Sequence, residues 1–258
     1  MPEAVSQRER VRSRFFFWMS LTMLVCTVIG FGSALAMGNY NDVEVPLPSH
    51  LVVHGIVLLA WFSWLVLQTS LVRAENTAMH RKTGVAGVFI GLLVIATTPQ
   101  VFLKNPERVL ARGLDWTSDM SEFPALGMSG ITFEEFSPVV IFSGIANLVS
   151  FGLLLGGALW WRSSPAIHKR LMLLASIAIF APALARISRL PGLGGEGGVF
   201  TPIALFILLI IPLVYDRVAE GKFHKVNLFG IGVIIVVQAS LLAFAGSDMA
   251  KAFARSLA

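Results

Sequence analysis

Apolar positions in this chain neither alternate nor recur every third or fourth residue. They run on for about 20 positions at a time between short polar stretches. A helix rising about 1.5 Å per residue needs roughly 20 apolar residues to cross about 30 Å of hydrocarbon. Seven stretches qualify: about 14–37, 49–73, 84–104, 136–161, 168–188, 199–216 and 227–245. Membrane barrels show instead short alternating segments of about ten residues. The pattern therefore predicts an all-α integral membrane bundle of seven transmembrane helices, one domain over residues 1–258 with an outer loop at 105–135.

Within the second span, His54, Trp61 and Gln68 recur every seven residues, which places them on one helical stripe, with His50 one turn before His54. Polar and ionisable side chains inside an apolar span usually face the bundle interior. Asn147 and Gln238 fall at a similar central depth to Trp61 in the fourth and seventh spans. Hydrocarbon offers them no hydrogen-bond partner, so they are expected to find one within the bundle.

Composition agrees with the pattern: 55% of residues are hydrophobic, 14% are charged and mean hydropathy is +0.76, against about 25% charged in a soluble domain. The single cysteine, Cys26, excludes a disulfide framework within the chain. The net charge of +5 would suit nucleic acid, but its distribution argues otherwise. With the N-terminus cytoplasmic and segments counted alternately, the inner side holds thirteen basic and five acidic residues and the outer side seven and ten. The positive-inside rule then gives a cytoplasmic N-terminus and a periplasmic C-terminus in a bacterial inner membrane, with lipid rather than nucleic acid as partner. The first apolar run is longer than a cleaved signal and is expected to stay as an anchor despite Ala34-Leu35-Ala36.

Local signals punctuate the spans. Prolines at 46 and 48 stop any helix before Ser49, a candidate N-cap, and Pro99 and Pro182 predict kinks. Gly152, Gly156 and Gly157 suit close helix approach, and Trp160 and Trp161 suit a membrane interface. In the outer loop PERVLARG reads as a short surface helix and the rest as an irregular acidic cap or lid.

The three inner hairpins share a signature, RAENTAMHR, RSSPAIHK and RVAEGKFHK, each with Arg, then five or six residues of which the last is apolar, then His and a basic residue. His80, His168 and His224 thus stand at one membrane face. One reading makes them interfacial anchors spread around the rim. The other brings them together as ligands of a transition metal or haem b iron, with the adjacent cations taking the propionates. On the outer side His50 and His54 are expected near Glu134, Glu135, Arg186 and Arg189. Haem ligation there would need a methionine such as Met37, Met120 or Met128.

No Gly-x-Ser-x-Gly, His-Glu-x-x-His or phosphate-binding glycine loop occurs, and no carboxylate falls at the middle of a span. With His54-Gly55, Trp61, Gln68, MHRKTG at 79–84 and IHKRLMLLA at 167–175, most of the chain resembles a widespread group of uncharacterised bacterial polytopic inner-membrane proteins. Its HKRLM segment is similar to one in membrane proteins linked to haem-copper oxidase assembly. The combined expectation is a binding or accessory protein rather than an enzyme, associated with haem or a metal in electron transfer or respiratory oxidase maturation. The alternatives are a structural subunit of a larger membrane complex, or a small-molecule channel or receptor entered near His54.

Overall fold

The computed structural model describes residues 2–36, 47–122, 130–190 and 197–258. The acidic first loop, Met37, Met128 and most of the glycine-rich turn after Leu190 lie outside the described residues. Helices α1 (Pro2–Ala36), α2 (Ser49–Arg73), α3 (Thr77–Leu103), α5 (Phe133–Trp160), α8 (Gly197–Glu220) and α9 (Lys225–Ala245) each contain a stretch long and apolar enough to span a membrane. The short α4 (Asn105–Leu110) is the surface helix expected of PERVLARG.

A seventh candidate span is a bent pair of helices. Helices α6 (Pro165–Ala178) and α7 (Ala181–Ile187) meet at a bend of 50°. The proline ring of Pro182 clashes with the carbonyl four residues back, at Ala178, so the helix ends there instead of merely kinking. Helix α3, by contrast, runs through Pro99 unbroken.

Helix α6 is the axis of the bundle. Arg170, Leu171 and every residue from Leu173 to Phe180 are buried, and α5, α9, α8 and α1 all pack on it. The packing closes tightly where neighbours carry glycine: a Cβ at Gly230 of α9 would lie 2.6 Å from the Leu174 side chain of α6, and one at Gly30 of α1 would lie 2.8 Å from the Ala183 carbonyl of α7. Trp61 and Phe62 of α2 fill the centre, edge-on to Phe151 and Phe180.

An element the hydropathy pattern did not announce follows α9. Helix α10 (Asp248–Arg255) is capped by Ser247, whose hydroxyl accepts from the Ala250 N–H, and it buries Ala250 and Ala254 on the side of α5. The long loop caps α5: Trp116 stacks on Phe133 at 5.0 Å, and Met120 is enclosed with Val109 and Phe133. Hydrogen bonds from the Thr117 hydroxyl and amide hold the exposed Asp115 carboxyl below its usual range.

Candidate functional site

The three histidines of the hairpin signature occupy three different positions. Helix α3 begins at Thr77 under an Asn76 cap, earlier than the apolar run suggested, so His80 lies on its first turn. His168 lies on the first turn of α6. His224 is itself the N-cap of α9, its Nδ1 accepting from the Val226 N–H at 3.3 Å.

Two of the three come together. The His80 and His168 rings stand 6.3 Å apart between centres, at 76° to one another. Helix α5 ends at Trp160 and leaves its last carbonyls without helical partners. One of them, Ala158, bonds His168 Nδ1 at 2.8 Å. A carbonyl only accepts, so Nδ1 carries the hydrogen and Nε2 remains for another partner. His80 Nδ1 is buried and unbonded.

Alongside them, Gln68 Nε2 donates to Thr83 Oγ1 at 2.9 Å, while Gln68 Oε1 and the nearby Trp64 Nε1 are also buried without partners. Three unsatisfied polar atoms thus lie along the α2–α3 seam at this end.

His224 belongs to a different cluster. Arg170, which has no exposed side-chain surface, donates to Asp216 Oδ1 from Nε and Nη2 at 3.1 and 2.6 Å and to Glu220 Oε1 at 2.6 Å. Asp216 Oδ2 accepts from the His224 backbone N–H at 2.9 Å and from Asn227 Nδ2 at 2.8 Å. Burial, followed by the Arg170 guanidinium, holds the His224 imidazole below its ordinary range; Glu220 and Asp216 act in the opposite sense and Lys169 in the same one.

The three histidines thus neither converge nor disperse fully: His80 and His168 are neighbours and His224 stands apart in the Arg170 network. Among the described residues no group of three His, Cys, Asp or Glu side chains is arranged to hold a metal ion. The buried Arg170 network was not expected. Its one sequence signal is Asp216 and Glu220 at i and i+4, which shares a helix face, but their partner lies 46 residues away from Asp216 on another helix.

The cations beside the histidines also find partners within the chain. Lys169 Nζ lies 5.0 Å from the centre of the Phe16 ring, and the Arg73 guanidinium lies 4.8 Å from that of Phe17.

At the opposite end the expected polar cluster is divided. His54 Nδ1 bonds Thr97 Oγ1 at 3.2 Å; that hydroxyl donates to Leu93, so the imidazole is the donor. The Arg186 guanidinium is close enough to act on His54 electrostatically, but it lies over the Phe31 ring at 4.2 Å and donates to the Pro182 carbonyl. Glu134 pairs instead with Arg255 of α10 at 2.9 Å. Glu135 completes a capping box with Thr132. The Thr132-x-x-Glu135 spacing could have indicated the second of these roles from the sequence. His50 lies in the first turn of α2 and Arg189 in the turn after α7. Met120 is sealed in the loop cluster, away from a ligand role.

Of the central polar residues, Trp61 Nε1 donates to Ser176 Oγ at 3.2 Å. Asn147 and Gln238 differ from expectation: each is half-buried, with no side-chain hydrogen bond given among the described residues.

No family model, curated protein or solved structure matches the chain.

Proposed function

We propose that this is a multi-pass membrane protein which binds one transition-metal centre, a free ion or haem iron, through His80 and His168 at its basic end. The supporting observation is the neighbouring imidazole pair, edge-on at 6.3 Å between ring centres. Two imidazoles on one metal place each ligating nitrogen about 2.0–2.1 Å from it. A 6.3 Å separation of ring centres leaves room for such a bridge without moving either helix far. The Ala158 carbonyl on His168 is the kind of outer partner that fixes the tautomer and orientation of a ligating histidine.

Charge favours haem over a bare dication. Arg81 and Lys169 adjoin the two ligands in sequence and would repel a free divalent ion. Haem iron arrives neutralised by its porphyrin and carries propionates that cations attract. Bound there, the iron would supply one-electron chemistry, with the basic end facing the bacterial cytoplasm, and electron transfer or oxidase maturation are the roles this would serve.

Titration of the purified protein, separately with haem and with copper, zinc and iron ions, tests the reading. Saturation at one equivalent by haem or one of the ions, abolished in His168→Ala, is expected. Absence of saturable binding by any of them would refute it.

A further inference from the structure

At the basic end, a groove of about 210 Å³ opens between the α5–α6 turn and the start of α9, lined by Trp161, Ile167, Leu171, Lys225, Val226 and Phe229. Its walls are apolar and face outward: Trp161 is 47% exposed and Phe229 67%. Such exposure suits hydrocarbon rather than water. Lys225 sits at the rim, at the first position of α9, and among the described residues no carboxylate pairs with it. The nearest acidic groups in sequence, Asp216 and Glu220, are both engaged by Arg170. Arg162 adds a second cation in the turn beside Trp161.

An apolar slot with an indole at its mouth and an uncompensated ammonium above matches one ligand chemistry. It accepts an acyl chain below and a negative headgroup at the interface. We infer that this groove is a binding site for a single anionic phospholipid, its chain along Ile167, Leu171 and Phe229 and its phosphate on Lys225. The site is separate from the histidine pair and does not depend on it.

Native mass spectrometry of delipidated protein in detergent, titrated with phosphatidylglycerol and with phosphatidylcholine, tests the inference. The expected result is one retained phosphatidylglycerol per chain in preference to phosphatidylcholine. Lys225→Glu should lower that preference at least about fivefold, the effect of losing one basic residue against an anionic surface, with the added carboxylate acting in the same sense. The same change at Lys222, an exposed lysine outside the groove, should leave the preference intact. Glutamate suits the first turn of a helix, so the Lys225 variant should fold. Equal retention of both lipids, equal loss in the two variants, or displacement of the bound lipid by inorganic phosphate would overturn the inference.

Discussion

Arg170 and Asp216 have no exposed side-chain surface, and every hydrogen bond between them is made inside the bundle. Truncating one member of such a pair leaves the other charge buried alone, a loss of about 3–5 kcal/mol. Arg170→Ala should therefore lower the thermal midpoint in detergent sharply. Glu220→Gln should lower it far less, because it keeps an acceptor oxygen and its side chain is 19% exposed. An Arg170→Ala variant melting with the wild type would show that the network does not hold α6 to α8. At this scale the sequence marked out three histidines, and the structure brings two of them, His80 and His168, together. The hairpin signature suggested a structural repeat, yet only two rings meet, and the Ala158 carbonyl that orients one of them has no side-chain signature.

Among the elements, the spans were legible because uninterrupted apolar runs of this length have few alternatives to a crossing helix. The break between α6 and α7 and the helix α10 were not. The first depends on where the Pro182 ring meets the preceding turn, and the second is too short to stand out from a polar tail. Two predictions belong here. Gly30→Ala places a methyl 2.8 Å from the Ala183 carbonyl oxygen, a rigid backbone atom, and should cost about 1–3 kcal/mol. At Gly232 of α9 the same change meets nothing within 4 Å and should stabilise by about 1 kcal/mol through helix propensity. Comparable unfolding midpoints for the two variants would contradict the packing of α1 on α7.

The cap of α9 should respond to pH. The His224 imidazole titrates below its ordinary value of 6.5 in the fold. In the window between the folded and unfolded values the unfolded chain binds more protons, so stability is greatest above about 6.5 and falls as pH drops below it. Protonation also removes the Nδ1 lone pair that accepts from Val226. His224→Asn keeps a cap and removes the titration, so its unfolding midpoint should lose this part of the pH dependence. An unchanged slope would place the titrating group elsewhere.

For the whole molecule, the bundle class was readable from hydropathy, and the centrality of α6 was not, because burial on all sides reads in sequence like any other apolar span. That centrality is what lets His80 and His168 meet where a simple ring of helices would have spread them. The positive-inside count further predicts that residues 74–83, 162–168 and 217–226 face the cytoplasm, so that cysteines placed there, in a Cys26→Ser background, are labelled from that side. Labelling of any of them from the opposite side would reverse the orientation.

The metal and haem content per chain of the protein as isolated, with its visible absorption spectrum, tests the central claim most directly. One metal centre per chain is expected in the wild type and in His224→Asn, and none in His80→Ala or His168→Ala, provided each variant is recovered folded. A wild type with neither metal nor chromophore, or a centre that survives His168→Ala and is lost with His224, would contradict the shared site.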